Sequence, residues 1–167
     1  MITPEFVRTM AAYNAEMNRR LYDAAGRLTE AQRQEARGAF WGSLQGSLSH
    51  LLWGDQIWMA RFAGWPAPAM GQQESAGMVG EFTVLQAARV AADAGICAWA
   101  AGVDAEWLDQ DLVWFSGAAL REIRRPRGLL VTHLFNHQTH HRGQVHCLLT
   151  QFGEATGDTD LPMVIRA

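Results

Sequence analysis

Between Pro126 and Gly153 the chain carries one long helical repeat whose apolar face is broken by imidazoles. Projected at about 100° per residue, Leu130, Leu134, Val145, Leu148 and Phe152 share a narrow arc, with His141 inside it and His137 at its margin. The two histidines stand one turn apart, a separation that lets both rings address a single ion. Burying a polar group without a partner costs roughly 1–3 kcal/mol, so a helix that turns two imidazoles toward its neighbours must supply them with partners. Hydrogen bonds inside a packed core would serve, and so would a shared divalent cation; a His-x-x-x-His pair alone does not choose between them. Four of the six histidines (His133, His137, His140, His141) fall within nine residues, and His50 lies far upstream on a different predicted helix. That distribution points to a metal site assembled across packed helices.

Three further helices are expected. The first has Thr3 as N-cap, Pro4 at the first helical position, an apolar stripe of Phe6, Met10, Tyr13, Met17, Leu21 and Ala24, and a stop at Gly26. Asn14 falls at the edge of that stripe, where a buried amide either sets helix register or faces a polar site. The second begins near Ser43 or Ser47 and runs to about Phe62, with Leu44, Leu48, Leu51, Leu52, Asp55, Trp58, Met59 and Phe62 as its main stripe. His50 projects onto a second face with Gly46, Trp53 and Ile57. A helix apolar on two sides is sandwiched, either within its own fold or against another subunit. Gly64, Pro66, Pro68 and Gly71 then break the chain, and a polar loop continues to about Gly80, long enough for a crossover. The third helix, Phe82 to Gly102, carries Leu85, Ala88, Ala92, Ile96 and Trp99 on one face.

Asp111 to Phe115 and Leu120 to Ile123 flank Ser116-Gly117 in the manner of a small hairpin. Pro126 is expected to start the last helix, which ends at Gly153. The tail from Glu154 to Ala167 reads as loop, anchored by Leu161, Met163 and Ile165. The expected fold is therefore all-α, a four-helix bundle forming one domain over residues 1–167, with at most one small hairpin before the last helix.

Composition narrows the function. Charged residues make up 19 % and apolar residues 49 %, which excludes a disordered chain. All fourteen basic residues are Arg, the net charge is −3, and the densest basic cluster, Arg121 to Arg127, belongs to a turn region with no repeating stripe. These features argue against a nucleic-acid partner. Apolar stretches are too short to cross a bilayer. The start Met1-Ile2-Thr3-Pro4-Glu5 leads directly into an amphipathic helix without a leader pattern, so a cytoplasmic protein with no membrane partner is expected. Cys97 and Cys147 form no disulfide framework and read as small buried hydrophobes. His133 and His140 project just outside the apolar arc, as outer partners, pocket-lining acid or base groups, or exposed residues, and His146 projects away from the core. Gln144 projects beside His137.

Two stretches carry a family resemblance. Ser49-His50-Leu51-Leu52-Trp53-Gly54-Asp55 looks like the first-histidine segment of the DinB/YfiT-like superfamily. Leu134-Phe135-Asn136-His137-Gln138-Thr139-His140-His141-Arg142-Gly143-Gln144 is similar to that superfamily's Asn-His-x-x-x-His-Arg-Gly-Gln signature. The superfamily consists of four-helix bundles with a three-histidine metal site, so the resemblance implies His50, His137 and His141 as metal ligands. It would also turn the His50 face of the second helix toward the last.

Three imidazoles leave coordination positions open on a divalent ion, the pattern of a reactive site. Imidazole ligation suits zinc, nickel, copper or iron, of which zinc or nickel is preferred here. Such an ion acidifies a bound water or a substrate thiol. Some relatives are thiol-cofactor-dependent transferases or isomerases, so the resemblance implies a metal-dependent enzyme acting on a small molecule. That enzyme would be an S-transferase using a low-molecular-weight thiol, or a hydrolase, with Asn14 and His140 as candidate catalytic residues. The rival is a non-catalytic, metal-binding stress-response protein; seven Trp residues and the two-sided second helix favour a homodimer.

Overall fold

The computed structural model describes residues 1–117 and 119–165. The chain is mostly helical, with eight helices among the described residues and one two-stranded antiparallel hairpin. Four helices are long: α1 (Pro4–Gly26), α3 (Leu44–Ala63), α4 (Phe82–Gly102) and α6 (Arg127–Gln151). Three are short: α2 (Glu30–Gln34), α5 (Ala105–Asp109) and α7 (Leu161–Val164). A 3-10 turn at Gln72–Gly77 interrupts the loop after α3.

Local chemistry sets the long boundaries. Thr3 caps α1 with Pro4 in its first turn, and Ser43 caps α3 by accepting from the Gly46 amide. Gly64 closes α3 in the left-handed region, at a φ of 69°, where only glycine is free of strain. The unforeseen α2 is held by a reciprocal capping box between Thr29 and Gln32.

α1 packs on α4 and α6, and α3 packs on the same two helices. Asn18–Asp93 and Tyr22–Phe82 set α4 antiparallel to α1, while Phe6–Phe135 and Asn14–Arg142 set α6 parallel to it. Asp55–Arg89 and Phe62–Trp99 make α3 and α4 parallel, so the loop from residue 64 to 81 is a crossover, as its length allows. The apolar core lies in two clusters. One is built from Leu21, Leu48, Leu52, Leu85 and Leu149, the other from Val7, Met59, Ile96, Leu134 and Phe135.

Between them sits a polar layer with members on all four long helices. Arg89 is ion-paired to Asp55 at 2.6 Å and to Asp93 at 2.8 Å, and Asn18 donates to Asp93 at 2.9 Å. Gln138 donates to Asp55, and Arg142 donates to Asn14 and Gln138. These pairings tie all four long helices together across the core, with Arg89 Nε left without a partner among the described residues.

This layer rotates the buried faces away from the expected stripes. On α1 the buried line runs Val7, Ala11, Asn14 and Asn18, leaving Phe6, Met10 and Tyr13 half-buried. On α6, Gln138 and Arg142 hold the middle of the buried face, with His141 at its edge and His137 and Phe152 half-buried.

The hairpin forms, with β1 (Asp111–Ser116) paired to β2 (Arg121–Pro126). Pro126 ends β2 and caps α6, which starts one residue later than expected. Arg121, Arg124 and Arg125 thus lie on a strand and Arg127 opens α6, so the cluster is not in a turn. Leu161 and Met163 are 38 % and 66 % exposed and do not anchor the tail. Polar contacts hold it instead: Tyr13 donates to Thr159 O, Arg20 donates to Asp158 O, and Arg27 pairs with Glu154. The tail's last two positions lie outside the described residues. Cys97 is half-buried against the second core cluster, whereas Cys147 is exposed and not a core residue. No helix is long and apolar enough to cross a membrane among the described residues.

Candidate metal centre

The second face of α3 is covered by the chain itself. The segment after α2 lays Trp41 flat on the His50 ring, with centroids 3.8 Å apart. The crossover loop folds back over α3: Trp53 donates to Met70 O at 2.9 Å, Ser49 donates to Ser75 O at 2.8 Å, and the Val79 amide donates to Ser49 at 3.3 Å. These bonds place Ser75 against His50, which is 0 % exposed. Trp53 and Ile57, farther along the same face, are half-buried.

α6 runs antiparallel to α3 and brings its histidines alongside. One nitrogen from each of His50, His137 and His141 lies within 4.8 Å of the other two. The contact needs Gly54: a Cβ built there would stand 2.7 Å from His137 Cε1, so only a residue without a side chain lets the ring sit against α3.

Hydrogen bonds orient two of the rings. Ser75 has one hydroxyl proton and donates it to Gln72 O at 2.6 Å. The Ser75 oxygen therefore accepts from His50 Nδ1, 2.8 Å away. His50 Nε2 is left as a bare lone pair. His141 Nδ1 lies 2.7 Å from Gln144 Oε1, to which it donates, and its Nε2 is bare in turn. His137 Nε2 lies 3.2 Å from His50 Nε2, and its Nδ1 is buried without a protein partner.

Metal–imidazole bonds of about 2.05 Å put two ligand nitrogens about 2.9 Å apart at a right angle and about 3.3 Å apart at the tetrahedral angle. The observed 3.2 Å falls inside that interval. Burial, reinforced by the neighbouring rings, pushes the His50 pKa down to about 3 and that of His137 to about 4, and burial lowers His141 as well. All three rings are neutral at physiological pH, the state a metal requires. The donor set fits a divalent cation.

The other candidates separate from this centre. Asn14 belongs to the polar layer through Arg142. His140 is exposed beside His141, with ring centroids 4.8 Å apart. His133 is exposed with its ring on Trp58, and His146 bonds Thr156 in the tail. Asp55 pairs with Arg89 in the interior. Gln144 serves His141 on its own helix, although the projection set it beside His137. Trp41, Ser75 and Gly54 went unrecognised. Gly54 had a signal, standing one turn after His50, whereas Trp41 and Ser75 come from loops without periodicity.

Fold and centre define a mostly helical protein with three histidines positioned to hold a metal ion. The model of the DinB family matches residues 1–167, the whole chain, and the chain belongs to that family. The resemblance read from the two histidine segments is thus borne out. No curated protein and no solved structure matches the chain.

Proposed function

We propose that the four long helices form a four-helix bundle built to hold one divalent cation on His50, His137 and His141, and that the protein is a metal-dependent enzyme acting on a small molecule. Transfer of a low-molecular-weight thiol or hydrolysis is the reaction this reading favours, with zinc or nickel as the ion. The observation that carries it is the pre-set orientation of the rings: Ser75 and Gln144 each hold an Nδ1–H and leave Nε2 free toward the common centre. A divalent ion supplies Lewis acidity there for a thiol or a water.

The chain's own contribution is position and access. Trp41 and Trp53 flank His50, and His137 is only half-buried. His140 stands exposed beside His141, placed to exchange a proton with a substrate bound there. Elemental analysis of the purified protein, followed by a screen of the zinc- and nickel-loaded forms against thiol conjugates, esters and amides, tests the reading. Stoichiometric metal with turnover abolished by a chelator is the expected result. Metal whose removal lowers only the melting temperature would favour the non-catalytic alternative, and a protein that binds no divalent ion would overturn both.

A further inference from the structure

The metal-facing stripe of α3 continues past the histidine. His50, Trp53, Gly54, Ile57 and Arg61 follow one another at intervals of three and four residues or neighbour one another in sequence, so Arg61 stands on the same side of the helix. Arg61 lies seven residues beyond Gly54, which faces His137, and eleven beyond His50, about 10 and 16 Å at 1.5 Å each. A cavity of about 490 Å³ runs beside the stripe, with Trp53, Ile57 and Arg61 on one side and Gln73, Glu74 and Ser116 on the other. Trp53 stands between the cavity and the centre, its ring also stacked on His50 at 5.8 Å.

Arg61 is the group in this cavity that the fold does not account for. Its guanidinium lies 4.5 Å from the centre of the Trp58 ring and 5.4 Å from that of Trp114. It is half-buried, and burial alone lowers its pKa, with no carboxylate drawing it back up. The two guanidiniums buried in the interior are partnered by contrast, Arg89 by two carboxylates and Arg142 by Asn14, Gln138 and Thr139. The cavity's acid, Glu74, is exposed and turned back on its own turn, its Oε2 3.0 Å from where a Gly71 Cβ would stand. Two indoles hold the guanidinium, and its N–H groups remain unused by the described residues; a planar anion is the ligand such a fork accepts.

We propose that Arg61 is a specificity-determining residue that binds a carboxylate of the substrate. The substrate then occupies the cavity with its reacting group at the histidine centre, about 10–16 Å away along α3. This rests on the reading of His50, His137 and His141 as metal ligands, and it narrows the substrate to small acids with a thiol or hydrolysable group remote from the carboxylate.

The probes are ω-mercaptoalkanoic acids of increasing length and their methyl esters, titrated into zinc-loaded protein by calorimetry and tryptophan emission. The acids should bind at least about tenfold tighter than the esters at one intermediate length, since a charge-assisted hydrogen bond contributes more than 1.4 kcal/mol. Arg61→Gln should erase that preference while leaving zinc stoichiometry and ester affinity unchanged, and Arg61→Lys should restore part of it. Equal binding of acids and esters, or an acid preference that survives in Arg61→Gln, would overturn the proposal. Failure of the metal reading looks different: the protein would not load zinc, yet simple alkanoates would still perturb tryptophan emission in the wild type and not in Arg61→Gln. If alkanoates perturb neither protein, the Arg61 anchor falls as well.

Discussion

Gly54→Ala separates the metal centre from the stability of the fold. In a helix interior, alanine is favoured over glycine by about 1 kcal/mol, so the substitution should leave the melting temperature of the metal-free protein unchanged or raised. The new methyl, however, would lie 2.7 Å from His137 Cε1 and 3.2 Å from its Nδ1. Carbon atoms rest at about 3.5–4.0 Å, so the ring must retreat by about 1 Å. It can do so cheaply because it is the free end of a side chain. A metal–nitrogen bond tolerates only about 0.2 Å, so the strain falls on coordination and zinc affinity should drop by about 10–100-fold, the scale seen when support of a ligand is lost. Gly143→Ala is the matched control, for a Cβ there meets nothing within 4 Å. Competition with a chromophoric chelator reads the affinity, and circular dichroism melting reads the fold. Wild-type zinc affinity in Gly54→Ala would refute the role given to the close approach of α3 and α6.

Other expectations follow from the same contacts. His137→Ala should lose most bound metal by elemental analysis while far-UV circular dichroism keeps the wild-type helical signal. Ser75→Ala removes the acceptor of the His50 Nδ1 proton and should weaken zinc binding by about 10–100-fold, read in the same chelator assay. Asp55→Ala leaves the interior Arg89 with one of its two carboxylates gone and should cost about 3–5 kcal/mol in urea unfolding. In the metal-free protein the His50 and His137 pKa values lie below the ordinary 6.5, at about 3 and about 4. The unfolded chain therefore takes up protons first as pH falls, so their contribution is complete above pH 6.5 and declines toward pH 4, by up to about 1.4 kcal/mol per pH unit for each ring. Asp93, pushed up to about 6 by burial, works in the opposite sense, stabilising the fold as pH falls through 6. The difference between wild type and His137→Gln isolates the histidine part, and a difference flat from pH 7 to 4.5 would contradict it.

Helical periodicity and capping chemistry are local, and they were enough to place the four long helices to within a residue or two. Thr3, Ser43, Gly64 and Gly153 act on backbone groups a few positions away, so their effect is written into the neighbouring residues. The His137–His141 pair was legible for the same reason, being one turn of one helix. The facing of His50 was not, because a helix covered on both sides has no single apolar direction to read. It was set by the antiparallel pairing of α3 with α6 at Gly54 and by two loops, carrying Trp41 and Ser75, that close over its second face. Asp55 and Asn14 were legible as buried polar groups because they fall on or beside apolar stripes, but their partners Arg89, Asp93, Gln138 and Arg142 were not, because charged and amide side chains look like surface until the helices they meet are in place. Neighbours along the chain fixed where each helix begins and ends; packing against loops and against another helix, by Trp41 and Ser75 on His50 and by Gly54 on His137, fixed which way the histidines point.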